Sequence, residues 1–84
     1  MKPTLTDILL TTLDWHYMDV RFWENYQSSR STTIVAVKRD FCVLAFHAGY
    51  LNSEIGNFLH MREATVEEHL KEIKKEYADY IIKD

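Results

Sequence analysis

Thr65, Glu67, Glu68, Lys71, Lys74 and Lys75 stand near the end of the chain at spacings that turn them away from Val66, Leu70 and Ile73. Arg62 lies just before them. If this stretch is a helix, it has one apolar stripe and one charged face. The charged face has a definite chemistry. Arginine and lysine can donate to a guanine edge, and glutamate can accept from cytosine N4. The same face also reads as a solvated surface laced by Glu67–Lys71 and other pairs four residues apart. A second basic cluster, Arg30, Lys38 and Arg39, is suited to gripping phosphates and setting register without reading sequence. Its plainer reading is an ordinary helix surface.

Other chemistry is poorly represented. His16, His47 and His60 have no metal-ligand spacing with one another or with Cys42. His69 flanks the apolar stripe and reads as a partly buried packing residue. Cys42 lies beside another stripe and reads as an apolar filler. No nucleophile elbow, phosphate loop, H-E-x-x-H or dinucleotide fingerprint occurs, and the carboxylates are scattered among lysines. The expectation is a protein without enzymatic activity, cofactor or metal.

The elements that position these residues follow from periodicity and capping. Leu5, Ile8, Leu9, Leu13 and Tyr17 have helical spacing, so a first helix is predicted over about 5–16, capped by Thr4 or Thr6. Asp19 can start a short second helix with Val20, Trp23 and Tyr26 inward. Residues 27–33 are polar and read as a loop. Thr33 can cap a third helix whose Ile34, Val37, Phe41, Leu44 and Ala48 face one way, with Gly49 as its stop. Asn52 or Ser53 can cap a fourth helix with Ile55, Phe58 and Leu59 on one face. Gly56 sits inside it, where glycine costs about 1 kcal/mol relative to alanine, which points to a close helix crossing. Thr65 and Glu68 have capping-box spacing, so the last helix is expected to start at Thr65 and to run to about residue 81.

Composition narrows the class. Eighty-four residues with 46% hydrophobic side chains, two glycines and one proline favour one domain of helices joined by short loops. N-terminal helices are expected over 5–27, and a helix-turn-helix core over 33–82. Trp15, Tyr17, Phe22, Trp23 and Tyr26 crowd the first third. They either pack these helices or form an exposed patch for a second copy or another protein. No apolar run is long enough for a membrane span, and no secretory signal is visible. The single cysteine suits a reducing cytoplasm. The net charge of −3 runs against nucleic-acid binding by overall charge. Residues 36–84 carry seven basic and nine acidic groups, so any DNA contact must rest on a local patch.

Gly49, Asn52, Glu54-Ile55-Gly56, Leu59, Met61, Thr65-Val66, His69-Leu70 and Ile73 resemble the LuxR/GerE-type helix-turn-helix, G-x-x-N-x-E-I-A-x-x-L-x-I-S-x-x-T-V-x-x-H-L-x-x-I. The spacing agrees without a gap. Gly56 replaces the pattern's alanine and Arg62 its serine, so the resemblance implies that Gly56→Ala is tolerated. Glu54-Ile55-Gly56 with Arg62 to Val66 also resembles the C-terminal DNA-binding domain of the replication initiator DnaA, E-I-G followed by R-D-H-S-T-V. There the chain is one residue shorter and lacks the histidine. Ser29-Arg30 and Ile34 to Lys38 resemble that family's S-R-x-R-x-I-V-x-A-R. Either resemblance implies an all-α bundle of four or five helices that binds duplex DNA as a transcriptional or replication-linked regulator. The candidate contacts are then Arg30, Lys38, Arg39, Asn52, Arg62, Thr65, Glu67, Glu68, Lys71, Lys74 and Lys75. The rival is the same fold used for protein contact, through the N-terminal aromatics or the last helix.

Overall fold

The computed structural model describes residues 2–71, and these form an all-α bundle: α1 (Leu5–Trp15), α2 (Val20–Tyr26), α3 (Thr32–His47), α4 (Asn52–Leu59) and α5, helical over 63–71. No strand occurs among the described residues. Ile73, Lys74, Lys75 and the expected end of the last helix near residue 81 lie outside them.

The central helix is α3, which packs against both α1 and α4. Its Ile34, Val37, Phe41 and Cys42 are buried, as the three-and-four spacing requires. Leu44 and Ala48 are only partly buried and pack against the core's edge. Around α3 gather Ile8 and Leu13 of α1, Trp23 of α2, Ile55 and Leu59 of α4, and Val66 and Leu70 of α5. Phe58 is half-buried, its ring stacked on Phe41 with centroids 5.3 Å apart. Thr12 is the one polar residue in the core among those described. Its hydroxyl donates to the Ile8 carbonyl at 2.8 Å, so no donor is left unpaired. His16, at the end of α1, is tied across to Asp40 of α3 at 2.7 Å.

The helix starts follow capping chemistry, with three corrections. Thr4 caps α1 in a full box: Asp7 N–H donates to Thr4 Oγ1 at 3.1 Å, and Thr4 N–H donates to Asp7 Oδ2 at 3.4 Å. Asp19 caps α2. Ser31, not Thr33, caps α3, accepting from Ile34 N–H at 3.3 Å. The chain turns helical two residues earlier than expected, because Ser31 already supplies a hydroxyl. For α4 the cap position is Leu51, and Asn52 and Ser53 are already helical. Leucine has no acceptor, so only half of a box exists here: Leu51 N–H donates to Glu54 Oε1 at 3.0 Å. For α5 the backbone carbonyl of Arg62 accepts from Thr65 N–H at 3.0 Å and Val66 N–H at 3.2 Å. The helix therefore starts at residue 63, and Thr65 lies within its first turn rather than at its cap.

Three connections repeat one backbone device. After α1, Met18 N–H reaches the Leu13 carbonyl at 2.9 Å and Tyr17 N–H that of Asp14 at 3.1 Å. After α3, Tyr50 N–H reaches Ala45 and Gly49 N–H reaches Phe46, both at 3.0 Å. After α4, Met61 N–H reaches Gly56 at 2.8 Å and His60 N–H reaches Asn57 at 3.4 Å. This nested pair satisfies the last carbonyls of a helix and needs one left-handed residue. That residue is Gly49 at φ 99°, but also Tyr17 at φ 52° and His60 at φ 57°.

Of the aromatic residues in the first third, only Trp23 is buried; Trp15, Tyr17, Phe22 and Tyr26 are exposed. Val20 and Tyr26, expected to point inward, do not. The reason is the brevity of α2. Seven residues make two turns, and of their side chains only Trp23 reaches the core.

Candidate nucleic-acid interface

The face is built by the way α4 hands the chain to α5. Gly56 is buried, and the loop that follows α4 folds back over it. A Cβ at Gly56 would lie 2.8 Å from the Met61 carbonyl oxygen and 3.6 Å from Val66 Cγ2. The close crossing expected from the sequence is present, but the tolerance of alanine is not. The obstructing atom is backbone, and it cannot swing aside as a side-chain end can.

Val66 and Leu70 are then buried, which fixes the rotation of α5. Arg62, Glu67, Glu68 and Lys71 are exposed, as the period predicts, and Thr65 is half-buried. Glu63 and Ala64 are exposed too. Over residues 62–71 the face carries three carboxylates against two cations. His69 is half-buried on its flank.

The second basic cluster divides. Arg30 is exposed in the α2–α3 connection, whereas Lys38 and Arg39 are half-buried on α3. Burial lowers the Lys38 pKa, because desolvation disfavours the ammonium; the neighbouring Cys42 pulls weakly the other way. Arg39 Nε is buried with no hydrogen-bond partner among the described residues, and so is Asn52 Oδ1. Lys38 and Asn52 do not share a site. Lys38 lines an open cleft of about 370 Å³ with Asn25, Gln27, Ser28 and His60 among its walls. Asn52 lines a separate one of about 310 Å³ with Phe46, Tyr50 and Leu51. Lys74 and Lys75 lie outside the described residues. The polar walls at 25–28 and His60 have no signature in sequence, since only the fold brings them beside Lys38.

The Cys42 thiol is buried, and burial pushes its pKa up from 9.0 to about 12. The thiolate is therefore scarce at neutral pH, as for a packing residue. No cluster of three or more His, Cys, Asp or Glu able to hold a metal occurs among the described residues. No helix among them is long and apolar enough to cross a membrane.

No protein-family model, curated protein or solved structure matches the chain.

Proposed function

We propose that the chain binds duplex DNA with α5 in the major groove, as a cytoplasmic transcriptional or replication-linked regulator. The observation that carries this reading is the tight α4–α5 joint. Gly56 lets the connection close, Val66 and Leu70 lock α5, and Arg62, Glu67, Glu68 and Lys71 face outward together. Two helices joined by a short turn, the second with one free polar face, form the arrangement that helix-turn-helix proteins insert into the groove. The likeness to the LuxR/GerE and DnaA patterns lies over the same residues. Arg62 and Lys71 supply donors for bases or phosphates, and Glu67 and Glu68 supply acceptors for cytosine.

The test is a binding titration on random duplex and on a site selected from it. Arg62→Ala is expected to cost about 1–3 kcal/mol on the selected site and little on random DNA. Lys71→Ala is expected to weaken all duplexes alike and to lower the salt slope by about 1. Both side chains are exposed, so circular dichroism should be unchanged. Absence of duplex binding by the wild type in low salt would overturn the reading.

One observation favours a second reading, a module for protein contact as a homodimer or with another protein. Phe22 and Tyr26 are exposed in mutual contact, ring centroids 4.6 Å apart, and Trp15 and Tyr17 are exposed at and just after the end of α1. Concentration-dependent self-association without DNA binding would select it.

A further inference from the structure

The cleft at Lys38 is where three separate parts of the chain meet. The end of α2 and the turn after it contribute Glu24, Asn25, Gln27 and Ser28; α3 contributes Lys38; and the left-handed turn after α4 contributes His60. The polar side chains are an ammonium, an imidazole, two carboxamides and a hydroxyl, with Glu24 the one carboxylate and Leu59 an apolar wall. Every polar one but Glu24 can donate a hydrogen bond.

Lys38 is half-buried and makes no ion pair or hydrogen bond among the described residues. Its lowered pKa records that the ammonium has lost water without gaining a counter-ion. An anion seated beside it restores what burial removed. The donors approach from three elements, which suits a tetrahedral group with several oxygens better than a planar carboxylate. Two exposed cations lie close in sequence to the walls of the cleft. Arg30 follows Ser28 by two residues, and Arg62 follows His60 by two. The cleft is open to solvent, so one charge of an elongated polyanion can enter it.

We propose that this cleft holds one phosphate group of the nucleic-acid backbone, gripped by Lys38 and His60 with Asn25, Gln27 and Ser28 as neutral donors. The site rests on the duplex reading above and adds to it a backbone anchor away from α5. Glu24 limits its strength by repelling the same phosphate.

Four full-length proteins test it: wild type, Lys38→Met, Lys38→Arg and Glu24→Gln. Each is titrated on random duplex at several salt concentrations, with circular dichroism as the check on folding. Methionine keeps an apolar stem of similar reach. Lys38→Met is expected to lower the slope of log K against log salt by about 0.9, one phosphate's worth. Lys38→Arg should keep the slope, and Glu24→Gln should tighten binding. A Lys38→Met protein with the wild-type slope and affinity overturns the site while leaving the duplex reading intact.

A second arm uses inorganic phosphate alone, followed by amide chemical shifts. Shifts at Asn25, Ser28 and His60 that vanish in Lys38→Met support the cleft as the phosphate site. If the wild type binds no duplex, the duplex reading fails, and this arm alone decides the cleft. Saturable shifts there would then retain it as a site for free phosphate, and their absence would overturn it.

Discussion

The hairpins α1–α2 and α4–α5 use the same backbone turn and bury opposite kinds of residue beneath it. Each closes on a left-handed, non-glycine residue, Tyr17 in one and His60 in the other. In α1–α2 the buried residue of the second helix is the large Trp23, and Tyr17, Phe22 and Tyr26 are left in solvent. In α4–α5 the joint is emptied at Gly56, so that the Met61 carbonyl rests against the helix. Beside Trp23, α2 leaves an exposed aromatic rim, whereas α5 buries Val66 and Leu70 and leaves a charged face. The shared turn reverses the chain in both hairpins, while the residues at the outward positions of the second helix make one face aromatic and the other charged.

Emptying the Trp23 site gives the largest expected effect. Trp23→Ala should cost about 3–5 kcal/mol. Phe22→Ala and Tyr26→Ala, at exposed positions, should each stay within about 1 kcal/mol, since surface changes usually do. Urea denaturation of the three variants measures this, and equal losses would break the contrast. Filling the empty joint comes next. Gly56→Ala should destabilise by about 1–3 kcal/mol through overpacking, despite alanine's better helix propensity. A Gly56→Ala protein with a raised urea midpoint would show that the joint has room. The smallest effect concerns the turns themselves. Replacing Tyr17 or His60 by glycine relieves a left-handed conformation that costs other residues roughly 1–2 kcal/mol. Glycine's greater freedom in the unfolded chain offsets part of this. Each variant should gain up to about 1 kcal/mol in thermal denaturation.

Burial of Cys42 in α3 adds a pH dependence to the stability of the bundle. Its folded pKa, about 12, lies above its ordinary 9.0, so the unfolded chain releases the proton first. The contribution is complete below pH 9 and is lost progressively as the pH rises toward 12. Denaturation midpoints of wild type and Cys42→Ala should therefore converge as the pH is raised across that window.

What was legible in the sequence follows from what is local. Thr4 with Asp7, and Asp19, mark the starts of α1 and α2 because each cap carries its own acceptor. The starts of α4 and α5 are obscured because Leu51 and Arg62, whose side chains carry no hydrogen-bond acceptor, stand in their cap positions. Gly49 announces its turn, whereas Tyr17 and His60 occupy the same conformation without glycine's signature. Period alone places Arg62, Glu67, Glu68 and Lys71 outward. Gly56 signals a close approach, but the ban on alanine depends on the path of a carbonyl five residues later. The cleft at Lys38 unites Glu24, Asn25, Gln27 and Ser28 with Leu59 and His60, a neighbourhood that no spacing rule encodes.

The acidic half of the α5 face gives the most direct test of the central claim, that this face meets duplex DNA. Glu67 and Glu68 are exposed, so changing both to glutamine removes two repelling charges without disturbing Val66 or Leu70. Wild type and the double variant are titrated side by side on random duplex in low salt. The account predicts measurable binding by wild type, falling as salt rises, and tighter binding by Glu67→Gln/Glu68→Gln. No binding by either protein would contradict it and leave the face to a protein partner.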